Sequence, residues 1–199
     1  MPDHYYSARP SSASDRRKIT AVLRGRDFVF ITDKGVFSRA GVDFGSALLA
    51  NAAHVDVGDS ILDLGCGYGP VGIALAATVP DVTVWAVDVN ERAVELCNIN
   101  AEVARVSVHA LVSDGVAALP KDIQFDCVVF NPPIRAGKSV VWRLYEQAFA
   151  VLRNGGRLFV VIQKKQGAES SETFLRSLFS EVRTIQREAG YRVYECKKE

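Results

Sequence analysis

The sequence predicts an α/β fold in which a seven-stranded, mostly parallel sheet is covered by helices on both faces. From residue 60 onward, short apolar runs alternate with longer segments of helical periodicity, which is the pattern of a parallel sheet with crossover helices. The runs that precede these helices are mainly apolar, as expected of strands that are buried on both faces. The last two runs meet at Ala189-Gly190, which predicts an antiparallel C-terminal hairpin.

The elements follow one another in a regular order. We expect a small β-hairpin with strands 28–32 and 36–38 joined at Gly35, which supplies the positive φ of the turn, and then a helix over 43–53. The predicted strands of the main sheet cover 60–64, 83–88, 106–112, 125–130, 157–162, 182–187 and 192–196. The predicted helices cover 70–78, 91–103, 139–152 and 171–179. This divides the chain into an N-terminal arm and hairpin extension, 1–44, and a main domain, 45–199, with Tyr5 and Tyr6 as possible anchors of the arm.

The composition narrows the functional classes. With 199 residues, 48% of them hydrophobic and a net charge of +1, the chain is typical of a globular domain and not of a polybasic nucleic-acid binder. No apolar stretch approaches the roughly 20 residues of a membrane span, and the polar, charged segment 1–20 shows no secretory signal. The four cysteines lack CxxC spacing, which favours reduced, buried thiols in the cytoplasm. The three histidines show no ligand spacing, so no metal site is expected.

Asn131-Pro132-Pro133 follows the apolar strand 125–130 directly. Proline lacks an N–H donor and has a fixed φ, so two prolines must end a central strand. The Asn131 amide and the Pro132 carbonyl are then two acceptors at a strand tip, suited to a planar amino group. Taken alone, the same residues also fit a strand terminator with a capping Asn.

A glycine loop joins the first main strand to its helix. Gly67-Tyr68-Gly69-Pro70-Val71-Gly72 is a literal GxGxxG, so a dinucleotide site has to be considered, although the motif alone is weak evidence. Asp63 argues against NAD because a carboxylate before the glycines would oppose a pyrophosphate but would attract an ammonium group. The chain after Gly115 also shows no second mononucleotide-binding half.

S-adenosylmethionine fits the acidic residues better. Asp63, Asp88, Asp114 and Asn131 all fall at the carboxyl ends of predicted parallel strands, and open α/β sheets bind ligands at that edge. Asp63 could attract the α-amino group, Asp88 could accept the ribose hydroxyls, and Asp114 could accept from the adenine amino group.

These motifs together give the chain a recognisable resemblance. The glycine loop with Asp63, the segment 88–93, Ser113-Asp114-Gly115 and Asn131-Pro132-Pro133 resemble the class I S-adenosylmethionine-dependent methyltransferases, within them the methyltransferase small-domain family related to 16S rRNA guanine-N2 methyltransferases. The resemblance extends to 32–38, 43–45, 135–138 and 163–167, and so covers nearly the whole chain. Larger relatives carry a second, N-terminal domain, and we expect only the catalytic one here.

The resemblance implies a Rossmann-like catalytic domain over 45–199 and a role for each matching residue. Asn131, Pro132 and Pro133 would hold the target amino group and form the catalytic set. The implied cofactor-binding residues are Asp63, Gly65, Cys66, Gly67, Gly69, Asp88, Val89, Asp114 and Asn131. Many amino-methylating relatives have an aromatic residue after the two prolines, where this chain has Ile134. Stacking on the substrate would then come from Phe37 or Trp142.

The expected partner is RNA, either small-subunit rRNA or one of its assembly intermediates. Arg135, Lys138 and Lys164 follow the fourth and fifth main strands, on the predicted rim of the site, where cations could contact phosphates. With Phe37 and Ile134 they complete the candidate substrate-binding set. Protein glutamine methylation, a small-molecule methyltransferase and a noncatalytic module that binds S-adenosylmethionine or RNA are the alternatives. The sequence leaves the oligomeric state open.

Overall fold

A computed structural model describes residues 12–199 and contains two β-sheets. The small sheet pairs β1 (Arg17–Leu23) with β2 (Arg26–Thr32). The main sheet contains β3 (Ser60–Leu64), β4 (Thr83–Asp88), β5 (His109–Val112), β6 (Phe125–Phe130), β7 (Leu152–Gln163), β8 (Glu181–Glu188) and β9 (Tyr191–Lys197). The helices are α1 (Phe44–Ala52), α2 (Pro70–Thr78), α3 (Glu91–Ala104), α4 (Lys138–Val151) and α5 (Ala168–Leu178).

The main sheet has the order β5-β4-β3-β6-β7-β9-β8. The first five of these strands run parallel, while β9 is antiparallel to both β7 and β8. The predicted fold class is therefore confirmed, including the C-terminal hairpin. The strand order reverses between β3 and β6, and this is the position at which open α/β sheets form a ligand crevice.

Each face of the main sheet has its own hydrophobic core. Side chains alternate along β3, so that Ile61 packs with the cluster under α1, α2 and α3, while Leu62 packs with the cluster under α4 and α5. All six residues of β6 are buried. Five of its six residues are apolar, as expected of a strand that is covered on both faces.

The N-terminal hairpin exists, but our prediction of its strands was wrong. The segment 28–32 pairs with 17–21 and not with 36–38, which lies in turns. The two-residue turn is Arg24-Gly25, and both residues have positive φ, 51° and 74°. Arginine rarely adopts this conformation, but the Arg24 guanidinium donates to Ala50 O at 2.8 Å and Ala53 O at 3.0 Å. These tertiary hydrogen bonds stabilise a turn that the local sequence does not predict.

The hairpin shares its core with the main domain. Leu23, Phe28 and Phe30 are buried in the same cluster as α1, α2 and α3. Asn100 of α3 binds the backbone of β2 with its side chain. Its Oδ1 accepts from Ile31 N at 2.6 Å and its Nδ2 donates to Ile31 O at 3.0 Å. Part of the expected arm is strand β1, and the proposed anchors Tyr5 and Tyr6 lie outside the described residues.

The remaining differences from the predicted elements concern their ends. β5 begins at His109 and not at 106, because α3 ends at Arg105 in the left-handed conformation and the chain needs the next residues to reach the sheet. β7 begins at Leu152, immediately after α4. None of the helices between residues 12 and 199 is long and apolar enough to cross a membrane.

Candidate active site

A cavity of about 400 Å³ opens at the carboxyl ends of β3, β4, β5 and β6. It lies where the strand order reverses. Residues predicted for cofactor and substrate line it together: Phe37, Asp63, Gly65, Cys66, Gly67, Asp88, Val89, Asp114, Asn131, Pro132 and Pro133. The topology thus brings together side chains that the sequence separates by nearly 100 positions.

The glycine loop forms the floor of the cavity by folding back onto β4. Gly65 N and Cys66 N both donate to Val87 O, at 2.8 and 2.9 Å. Gly65 and Gly67 have φ of 70° and 56°, a conformation that glycine adopts without strain. An added Cβ at Gly67 would meet no atom within 4 Å, so the loop leaves open space for a ligand on this side.

Asp63 is a buried carboxylate at the end of β3. Its Oδ2 accepts from Gly72 N in α2 at 2.8 Å, which fixes the side chain against the start of that helix. Burial raises the pKa of Asp63 to about 7, and the nearby charge of Asp88 adds to the shift. Within residues 12–199, no cationic side chain is paired with Asp63.

Asp88 ends β4 and holds the glycine loop. Its Oδ2 accepts from Gly67 N at 2.8 Å and its Oδ1 from Asn90 N at 2.9 Å. Burial raises the pKa of Asp88 despite these bonds. Asn90 caps α3 and also donates to Gly35 O at 2.7 Å, so the strand tip is tied to the segment that carries Phe37.

These two acids fit S-adenosylmethionine. A buried carboxylate without a cationic partner is unfavourable, and a ligand that brings a positive charge relieves that cost. The ammonium group of the cofactor has the required charge for Asp63. The Asp88 oxygens keep lone pairs beyond the two backbone bonds and can accept from ribose hydroxyls.

Asp114 has a different environment from the other two acids. It is exposed, and the Arg143 guanidinium of α4 binds both of its oxygens, at 2.8 and 2.9 Å. This bond holds the pKa of Asp114 below its ordinary value. Arg143 lines the cavity as well but was not among the predicted site residues, because it is one of 24 lysines and arginines and lies outside the motifs.

Asn131 is oriented by two side chains of the α1 start. Its Nδ2 donates to Asp43 Oδ2 at 3.1 Å and to Ser46 Oγ at 2.9 Å. A carboxylate accepts only, so Asp43 fixes which end of the amide faces it. The amide oxygen is therefore turned away from this pair while Asn131 lines the cavity. Asp43 and Ser46 were not among the predicted site residues; a helix cap at Asp43 was the available signal.

The two prolines form a tight turn after Asn131. Pro133 has φ −75° and ψ 74°, and Ile134 N donates to Pro132 O at 2.9 Å. This carbonyl, expected as an acceptor for substrate, already accepts one bond and has a second lone pair available.

The other predicted residues lie around the cavity and not in its wall. Gly69 caps α2 with φ 91°. Ile134 is half-buried beside the site, while Arg135, Lys138 and Lys164 are exposed after β6 and β7. Of the two candidates for stacking, Trp142 is stacked on Phe174, with ring centroids 4.7 Å apart. Phe37 lines the cavity and is 37% exposed.

The strand order, the glycine loop and the two acids at the ends of β3 and β4 define an S-adenosylmethionine-dependent methyltransferase with a Rossmann-like fold. More narrowly, the chain belongs to the methyltransferase small domain family, whose model matches residues 27–195. That match begins within β2 and ends within β9, so it takes in every lining residue of the cavity.

Individual relatives agree with this family. The chain is 45% identical to the Bacillus subtilis uncharacterised protein YbxB, and the match covers 100% of both chains. It is 32% identical to ribosomal RNA small subunit methyltransferase C of Shewanella amazonensis, over 82% of this chain and 48% of the relative. It is also 32% identical to ribosomal RNA large subunit methyltransferase G of Magnetococcus marinus, over 82% of this chain and 44% of the relative. The chain thus spans about half the length of these rRNA methyltransferases.

A solved structure resembles the fold closely. The 16S rRNA N2 G1207 methyltransferase RsmC of T. thermophilus, in complex with AdoMet and guanosine, superposes with a TM-score of 0.84 at 30% identity. The superposition covers 96% of this chain and 52% of that one.

Proposed function

We propose that this methyltransferase transfers a methyl group to the exocyclic N2 of a guanine in small-subunit rRNA, in the cytoplasm. The observation that carries the proposal is the orientation of Asn131, whose amide nitrogen is held by Asp43 and Ser46. An amide oxygen is thereby presented in the same cavity as the buried Asp63 and the half-buried Asp88. The similarity to the T. thermophilus enzyme for a guanine N2, over 96% of this chain, supports guanine as the target.

The cofactor supplies an electrophilic methyl group on a sulfonium. The protein's task is to bring a poor nucleophile to it, because the amino lone pair of guanine is delocalised into the ring. Asn131 Oδ1 and Pro132 O would accept the two N–H groups of this amine and so direct its lone pair towards the cofactor. Positioning of this kind contributes up to about 7–11 kcal/mol in well-oriented systems. The proton is lost to solvent after transfer, so neither acceptor has to be a strong base.

The cavity has both acidic and apolar lining residues, which would serve different purposes. Asp63 and Asp88 carry the negative charge that a cationic cofactor requires. Apolar side chains such as Phe130, Val140 and Leu144 line the space between these acids and α4. A cationic methyl donor loses charge as it reacts, and a largely dry wall favours that change.

RNA binding would use the exposed cations outside the cavity. Arg135, Lys138 and Lys164 are exposed and follow β6 and β7 along the chain, where they could contact phosphates on either side of an extruded base. A base buried in a helix cannot enter a cavity of this kind, so loop or single-stranded RNA is the expected substrate.

Large-subunit rRNA is the second candidate substrate. Several relatives are large subunit methyltransferases, among them the Magnetococcus marinus protein at 32% identity. Protein glutamine remains a chemical alternative because its amide presents the same planar NH2 group.

Transfer of a radiolabelled methyl group distinguishes these substrates. The protein is incubated with labelled S-adenosylmethionine and, in parallel, naked 16S rRNA, naked 23S rRNA, immature small subunits and release factors. We expect label in 16S rRNA or the immature subunit, recovered as N2-methylguanosine after nuclease digestion. Label confined to 23S rRNA would favour the second candidate, and label in protein would refute the proposal.

A further inference from the structure

Asp43 has a carboxylate oxygen that its structural contacts do not use. Its Oδ2 caps α1 by accepting from Ser46 N at 3.1 Å, and the same atom accepts from Asn131 Nδ2 at 3.1 Å. Within residues 12–199, neither a hydrogen bond to Oδ1 nor a cation paired with this carboxylate is present. Asp43 lines the cavity beside Asn131. Asp43 and Asn131 are thus hydrogen-bonded to each other and line the same cavity, and each side chain keeps an oxygen that can accept from a ligand there.

The surroundings of Asp43 are aromatic. Burial raises the pKa of Tyr68 and that of Tyr191, and the Asp43 charge adds to both shifts. Phe44 packs on Tyr191 with ring centroids 5.3 Å apart. The carboxylate is half-buried close to these tyrosines, and a polar ligand group that does not match it there is costly.

Adjacent acceptors select ligands with adjacent donors. In guanine, the N2 amino group lies next to the N1–H donor. In adenine and cytosine, the amino group lies next to a ring nitrogen that accepts, and in glutamine the NH2 lies next to a carbonyl oxygen. Only the guanine edge gives a donor to both the amide oxygen and the carboxylate; the other three would place a lone pair against a negative charge.

We propose that Asp43 is the specificity-determining residue of this site, reading the N1–H of guanine while Asn131 holds the N2 amino group. This inference rests on the proposed guanine-N2 activity and adds the group that rejects other amines. It is also compatible with Ile134, which stands where many relatives have an aromatic residue, because recognition of the base edge does not depend on stacking from that position.

A substrate pair tests this role. The guanine mapped in the labelling experiment is placed in a synthetic RNA fragment, either as guanine or as 2-aminopurine. The analogue keeps the N2 amino group but has an acceptor at N1. The enzyme should prefer guanine in kcat/KM by at least about 100-fold, since a site built for a hydrogen bond strongly rejects the analogue that lacks it.

Asp43→Asn is the diagnostic variant, because Asn caps helices as well as Asp does and offers a donor to the N1 acceptor. We expect its preference for guanine to fall below about tenfold, with methylation of the 2-aminopurine RNA maintained or increased. The lost O6 oxygen of 2-aminopurine affects both enzymes alike, so the change in preference reports on N1.

Ser46→Ala is the matched control. It removes one bond to Asn131 but keeps the carboxylate, so it should slow both substrates equally. Equal losses with Asp43→Asn would show that Asp43 only supports the fold and Asn131, and would overturn this inference, as would a wild-type enzyme that does not distinguish the two RNAs. If no rRNA guanine is methylated at all, the proposed function fails first. Thermal unfolding of each variant verifies that it is folded.

Discussion

The two halves of the cavity are built in different ways. In the cofactor half, carboxylates bind backbone N–H groups close in sequence: Asp63 binds Gly72, nine positions away, and Asp88 binds Gly67, 21 positions away. In the substrate half, the Asn131 amide binds side chains 85 and 88 positions away. The first half belongs to one β-strand–helix–β-strand unit, while the second requires the whole domain to fold.

This difference has a chemical consequence. The cofactor half contains two acids, Asp63 and Asp88, whose pKa values are raised, so its function depends on the charge of a ligand and on pH. The substrate half depends on the direction of one amide, which Asp43 and Ser46 determine. Mutations in the two halves should therefore separate cofactor affinity from turnover.

The largest expected effect is in the substrate half. Asn131→Ala should lower kcat by about 10²- to 10³-fold, the range found when one preorganised hydrogen-bonding group is removed from an active site. Its affinity for S-adenosylmethionine should stay close to that of the wild type, because Asp63 and Asp88 are unchanged. Single-turnover methylation of the mapped RNA and calorimetric cofactor binding measure the two quantities. Undiminished turnover would remove Asn131 from the mechanism.

Asp88→Ala, in the cofactor half, should weaken cofactor binding and largely spare turnover. Loss of a charge-assisted hydrogen bond costs about 1–3 kcal/mol, which weakens cofactor binding by about 5- to 150-fold. Gly67 N loses its acceptor as well, so the loop should loosen. Calorimetry measures the affinity, and at saturating cofactor the turnover should largely recover. Unaltered affinity would contradict the assigned role of Asp88.

Asp63 should make cofactor binding pH-dependent. Its pKa of about 7 means that the carboxyl is protonated in more acidic solution and can no longer attract an ammonium group. The affinity should fall by up to about tenfold per pH unit below pH 7. Asp63→Asn should flatten this part of the profile, with Asp114→Asn as the control that leaves it unchanged, because the pKa of Asp114 is lowered.

The same residue affects the stability of the ligand-free protein in the opposite direction. Between its ordinary value of 3.8 and about 7, Asp63 binds a proton more readily in the folded state than in the unfolded state. The contribution of Asp63 therefore stabilises the fold as the pH falls from 7 towards 4. Urea titrations of wild type and Asp63→Asn should diverge over this range, and parallel curves would show that Asp63 is not buried in solution.

The contrast between the halves also explains which parts of the molecule the sequence predicts. The bounds of β3, α2, β4 and β6 follow from local apolar patterns and Pro70, and the acids at the strand tips follow from topology alone. The Arg24-Gly25 turn could not be predicted, because contacts with α1 stabilise the positive φ of Arg24. Asp43 and Ser46 could not be recognised either, since their role is a contact with Asn131 that exists only in the folded domain.

The smallest expected effect concerns the Asp114–Arg143 pair, which borders both halves. Both side chains are largely exposed, and exposed ion pairs contribute only about 0–1 kcal/mol. Arg143→Ala should therefore change cofactor affinity by less than about fivefold in either direction. If the guanidinium instead contacts RNA phosphate, the variant should lower RNA affinity and reduce its salt dependence by roughly one ion. RNA binding between low and high salt, measured beside Asp114→Asn, separates the two roles, because only Arg143→Ala removes a cation from the rim.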